Sequence, residues 1–304
     1  MKTPETQISK LIEMDKPKKV YDEVKTIVSM MFDKFDFEPV DRVFTDIVKL
    51  FKGNYFGYQE CLTGYHDIKH TLDAMLATVR LIHGADLQGE TITPEGVTLG
   101  IISSLMHDTG YILTMDDDAR SGGKYTLVHI DRSIEFMERY IQTNELSKDA
   151  FLGCQEIMHC TGVKTDIDKI PFNTAECELI GKIMGTADLL GQMADRTYLE
   201  KLPFLYHEFR EAKIDTYASV MDLFEKSQDF YATTRKRFAE ELGGVNRFAR
   251  HHFIKRWNID GDLYADAIER NMEYLKHVLK NKEKDLPSLL RRGGYLKFLA
   301  GQKL

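Results

Sequence analysis

The chain has 304 residues, 43% of them hydrophobic and 29% charged, enough to bury a sizeable core in one large domain or two smaller ones. Its formal net charge of -7 argues against a broad nucleic-acid surface, though not against a local basic groove. The stretch MKTPETQISKLIEMDKPKK has no apolar signal-peptide core and no apolar run is long enough to span a bilayer, so a soluble, cytoplasmic protein without a membrane partner is expected. Cys61, Cys154, Cys160 and Cys177 form no CxxC pair and suggest no disulfide framework.

The pattern is helical almost throughout, with seven prolines and little strand-like alternation, so the expected class is all-α. Val20, Val24, Ile27, Val28 and Met31, then Val40, Val43, Phe44, Ile47 and Val48, give two helices separated near 33–38. A looser, glycine-containing stretch, KGNYFGYQECLTGYHD, follows. A helix over 66–84 is stopped by Gly84, and Thr93 with Pro94 reads as a cap and first-turn proline for a helix reaching about Met106. Further helices are expected over 126–142, 146–160, 175–195, 216–241 and 260–280. Aromatics of the segment DRTYLEKLPFLYHEFREAK serve helix packing, with pocket lining as the minor reading; RHHFIKRW reads as a helical surface. The terminal LPSLLRRGGYLKFLAGQ reads as a segment packed on the body.

The run LGIISSLMHDTGY, from Leu99 to Tyr111, carries the chemical signal. Its apolar half places His107 and Asp108 near an interior helix end, where burying either charge alone is costly and a metal ion would offset the cost. Gly110 then lets the chain turn away. YHDIKHTLD adds His66 and His70, four residues apart and hence on one helical face. YTLVHIDRS adds His129, QEIMHCTG adds His159, and GTADLLGQMAD adds Asp188 and, a heptad later, Asp195, read as an ion-pair partner of a nearby base. These residues lie on separate helices and would have to converge, as metal ligands in all-α cores do.

The ordered set His70, His107–Asp108, His129, His159 and Asp188 resembles the HD-domain metal-dependent phosphohydrolase superfamily over roughly residues 60–200. The resemblance implies a helical-bundle catalytic core over 60–200, with helical extensions at 1–59 and 201–304. It implies a first metal held by His70, His107, Asp108 and Asp188, and a second held with His129 and His159 and bridged by Asp108. Two divalent or redox-active ions follow, iron or manganese first, zinc or magnesium next. YHDIKHTLD also resembles the YHNxxHxxD segment of class I cyclic nucleotide phosphodiesterases. That likeness makes His66 the general acid to the leaving alkoxide and matches Asp73 to the later aspartate, with Asp67 in place of the asparagine. The paired HH and the GYP signature of HD-GYP enzymes are absent, and Tyr111 stands where many of them carry lysine.

The implied function is hydrolysis of a small nucleotide-like phosphoester by a metal-activated hydroxide, with His66 protonating the leaving oxygen. Asp67 or Asp73 would orient a neighbouring group, and Arg120 or Lys124, in the loop TMDDDARSGGKYT, would meet phosphate oxygens. SGGK lacks the spacing of a GxxxxGK phosphate loop. A di-iron oxygenase and a noncatalytic metal-containing signalling domain are the competing classes.

Overall fold

The apolar spacing of residues 18–49 folds as two helices, α1 (Pro17–Met31) and α2 (Glu38–Phe51), each with a proline in its first turn. A computed structural model of the chain describes residues 6–144, 148–290 and 292. Ten more helices follow: α3 (Ile68–Asp86), α4 (Pro94–Met106), α5 (His129–Thr143), α6 (Lys148–His159), α7 (Ala175–Ala194), α8 (Tyr198–Glu211), α9 (Val220–Glu240), α10 (Phe248–Trp257), α11 (Leu263–Lys280) and the single turn α12 (Leu286–Leu289). Among the described residues the fold is all-α, and the β contacts there are two isolated bridges, Lys52–Glu60 and Tyr58–Thr114.

Helix starts follow local chemistry. Asp67, Thr93, Thr174 and Ser219 each accept a backbone N–H of the first turn of α3, α4, α7 and α9. Gly84 does not stop α3, which runs on to Asp86. A Cβ at Gly84 would run into the carbonyl of Phe248, so the glycine marks where α10 crosses α3. α8 is a helix that apolar spacing did not mark, because Pro203 interrupts it internally.

α3 and α7 form the central pair. α1, α4 and α10 pack on α3, while α6 and α11 pack on α7. One apolar cluster runs from Val20 to Leu290, so helices before residue 60 and after residue 200 share the core of the segment between them. Fully buried side chains such as Ile27, Leu72, Leu81 and Ile82 each contribute about 1.5–3 kcal/mol. The four cysteines are free, and no helix among the described residues is long and apolar enough to cross a membrane. Of the expected C-terminal packing segment, Leu290 is buried, whereas Arg291 and residues 293–304 lie outside the described residues.

Candidate metal centre

α4 is buried on nearly every side, and its last turn delivers His107 and Asp108 to the interior, each 2% exposed. A 3-10 turn, Thr109–Tyr111, follows at once. His107 Nδ1 lies 2.9 Å from the Ser104 carbonyl, which requires the proton on Nδ1 and leaves the Nε2 lone pair free. Ser133 of α5 braces the turn: it accepts the Gly110 N–H (2.8 Å) and donates to the His107 carbonyl (2.6 Å). Gly110 has no positive φ, and a Cβ there would run into the His129 carbonyl. The glycine therefore admits α5 against the turn rather than redirecting the chain, a correction to the sequence expectation.

Four side chains, from α3, α7 and the His107–Asp108 turn after α4, converge. His70 Nε2 is 3.1 Å from both Asp108 Oδ2 and Asp188 Oδ1. His107 Nε2 is 3.2 Å from Asp108 Oδ2, 3.7 Å from Asp188 Oδ1 and 3.4 Å from His70 Nε2. Ligands about 2.1 Å from one ion stand about 3.0 Å apart at right angles and somewhat farther apart in a tetrahedron. Although two imidazole nitrogens lie so close, Asp108 Oδ2 is buried without a directed hydrogen bond. A buried carboxylate oxygen without a hydrogen bond beside two imidazole nitrogens fits a metal ion, and His70, His107 and Asp108 form a ligand set able to hold one. Asp108 Oδ1 faces a further imidazole, His129 Nε2, at 3.9 Å, and His129 too has Nδ1 fixed on a carbonyl, that of Thr126, at 2.8 Å.

The electrostatics of the bare cluster show the demand for positive charge. Burial works against protonating His70, but the neighbouring carboxylates of Asp108 and Asp188 outweigh it and raise its pKa to about 9. His107 is raised in the same way, against its burial, by Asp108 and then Asp188. Burial would raise both aspartates, yet the two histidines hold them well below the usual carboxylate range. His129, which has less carboxylate contact, is lowered by burial.

His66 does not lie on a face of α3; it precedes the cap residue Asp67. Its ring stacks on Tyr111 (4.3 Å between centroids, 9° between planes), and Tyr111 stacks on His129 at 4.7 Å. His66 Nδ1 meets Glu208 Oε2 at 2.6 Å, and the other Glu208 oxygen accepts the Tyr65 N–H at 2.8 Å. The residue that orients His66 is thus Glu208 of α8, not Asp67 or Asp73. Asp67 caps α3 by accepting the N–H of His70 itself (2.8 Å) and pairs with Lys201 (2.9 Å). Asp73 pairs with Lys69 (2.7 Å), which also reaches Asp195 of the loop after α7 (2.8 Å). Burial raises the Asp73 pKa, with Lys69 opposing it. Tyr65 donates to Gln192 Oε1 (2.8 Å), and Gln192 Nε2 reaches Asp188 Oδ1 (3.2 Å), so the same segment also supports Asp188 of α7.

Other expected site residues stand apart. The half-buried His159 ends α6, and its side chain makes no hydrogen bond, ion pair or ring contact. Arg120 is exposed, and Lys124 is engaged by Asp117 at 2.6 Å. Asp117 also accepts from the Tyr125 hydroxyl and the Ala119 N–H. Gly122 of SGGK abuts the Tyr111 carbonyl, where a Cβ would collide, so this loop does lie against the site. Sequence reasoning missed Glu208. Its one signal is an acid on the buried stripe of α8, at the register Glu200, Phe204, Glu208.

No match was found among curated proteins. The Npun_R2479-like family model matches residues 57–242, a span that holds His66, the four converging side chains, His129 and Glu208. That match covers more than half of the chain, which therefore belongs to the Npun_R2479-like family.

Proposed function

We propose that the chain is a metal-dependent phosphohydrolase of the HD-domain type, cleaving a nucleotide-like phosphoester and most of all a phosphodiester. The observation that carries this reading is the His66–Glu208 pair, stacked on Tyr111, with its ring 5.7 Å from the ring of the ligand candidate His70. His70, His107, Asp108 and Asp188 would hold the first ion, with His129 at the second oxygen of Asp108. A divalent ion bound there supplies an activated water and neutralises phosphate charge, and manganese or iron suits the mixed imidazole and carboxylate donors.

The remaining chemistry belongs to the side chains. Glu208 holds Nδ1 of His66, so Nε2 is the edge from which a proton leaves. As hydroxide adds to phosphorus, the P–O bond to the leaving alkoxide breaks and that oxygen takes the His66 proton, which replaces the proton the attacking water had already lost. Tyr111 is 2% exposed, with its hydroxyl held protonated chiefly by burial, so it serves as a wall for the imidazole and not as a base.

The test is turnover of 3′,5′-cyclic nucleotides, cyclic dinucleotides and nucleoside monophosphates by manganese- or iron-loaded protein. His66→Ala is expected to lower turnover by about 10²–10⁴-fold with its metal content intact. Unchanged turnover in that variant removes His66 from the mechanism. No hydrolysis of any of these substrates, together with substrate-dependent oxygen uptake, replaces hydrolysis by oxygenase chemistry.

A further inference from the structure

Away from the His/Asp centre, a cavity of about 200 Å³ opens between residues 7–9, the C-terminal end of α7 and α11, and it is lined by three arginines, Arg196, Arg270 and Arg292. No aspartate or glutamate among the described residues lines it. Among the described residues none of the three guanidinium groups forms an ion pair. Arg270 keeps Nη2 buried without an acceptor. Arg292 is held in place by neutral groups: Nη1 donates to Asn271 Oδ1 (3.0 Å) and the Arg196 carbonyl (3.3 Å), and the guanidinium lies 4.1 Å over the Tyr274 ring. The buried Glu200 takes the backbone N–H of Arg292 (2.9 Å).

Three positive groups facing one space repel each other, and a buried N–H without a partner is destabilising. A bound multiply charged anion would remove both costs, since the planar guanidinium fork matches phosphate oxygens two at a time. The space is smaller than the ~300–1,000 Å³ of drug-sized ligand sites. A second cavity of about 450 Å³, lined by Tyr274, His277, Lys284 and again Arg292, adjoins it and gives room for a substituent. We propose that this arginine-lined cavity is a binding site for an anion of the phosphate class, either free phosphate or diphosphate or the phosphate end of a nucleotide. The site also bears on α7: Asn271, which accepts from Arg292, donates to the Met193 and Asp195 carbonyls (2.9 and 2.8 Å) where that helix ends.

The proposal is tested by binding, independently of any turnover. Full-length protein stripped of metal by a chelator is titrated calorimetrically with inorganic phosphate, diphosphate, ADP and, as a monoanion control, acetate. Saturable binding of phosphate, diphosphate or ADP but not acetate is expected, weakened at least tenfold in Arg270→Ala and in the exposed Arg196→Ala, whose folding is checked by circular dichroism. ADP binding tighter than diphosphate identifies a nucleotide and the adjoining cavity; equal affinity identifies the free anion. Absence of saturable binding by all three phosphates, or binding unchanged in the folded Arg196→Ala/Arg270→Ala double variant, overturns the proposal.

Discussion

One helix, α3, carries two buried histidine pairs of opposite character. Near its start His70 meets His107 among two aspartates, whereas three and a half turns later His83 meets His252, Nδ1 to Nδ1 at 2.9 Å, beside Arg80. The first pair is drawn toward positive charge, with His70 raised to about 9. The second is driven the other way: burial first, then Lys255 and Arg256, pushes His83 down to about 4, and burial with Arg80 and His83 lowers His252 further. Buried imidazoles alone therefore do not make a metal site. The carboxylates decide it: with them the pair demands a cation, and without them it is a neutral hydrogen bond in the core.

The sharpest way to break this contrast is to remove the carboxylate charge without changing shape. Asp108→Asn is expected to empty the centre of metal, read by elemental analysis, and to lower turnover by at least about a thousandfold. Retained metal would place the ion elsewhere. Glu208→Gln is expected to lower turnover by about 10–100-fold while metal content stays whole, and a parallel loss of metal would make Glu208 a support of the ligands instead.

The second pair answers to pH rather than metal. Because the folded pKa of His83 lies below the unfolded value near 6.5, the unfolded chain binds the proton first as pH falls. This contribution to stability is complete above about pH 6.5 and is lost between there and about pH 4, where the loss reaches about 3 kcal/mol. Denaturant melts at pH 7 and pH 5 would show it, and His83→Gln is expected to flatten the difference. A glycine stands beside each pair, and the two form a matched experiment. Gly84→Ala and Gly110→Ala both push a methyl into a backbone carbonyl, of Phe248 and of His129, and each is expected to cost about 1–3 kcal/mol. Only Gly110→Ala is expected also to weaken metal binding, measured by competition with a chelator. Equal metal affinity in the two variants would separate His129 from the centre.

The converging cluster was legible because chemistry repeats in order: His70, His107, Asp108 and Asp188 stand out as polar residues in apolar helical runs, and the fold brings them together. Helices with clear apolar spacing, such as α1 and α2, or with a cap and first-turn proline, such as α4, were legible for the same reason. The supports were not. Glu208 reaches Tyr65 across 143 residues and Lys201 reaches Asp67 across 134, and no local pattern encodes such pairings. Gly84 misled because a glycine that stops a helix and one that admits a neighbouring backbone look alike in one dimension.

α8 grips three consecutive residues from two points a heptad apart. Lys201 takes the Tyr65 carbonyl and Asp67, while Glu208 takes the Tyr65 N–H and His66. Asp67 in turn sets the first turn of α3 through the N–H of His70. A shift of α8 along its own axis would therefore displace His66 and His70 in one movement. On the proposed reading, proton delivery and ion capture share a single mechanical coordinate, so a variant that loosens α8 should impair both together, however far from either it lies.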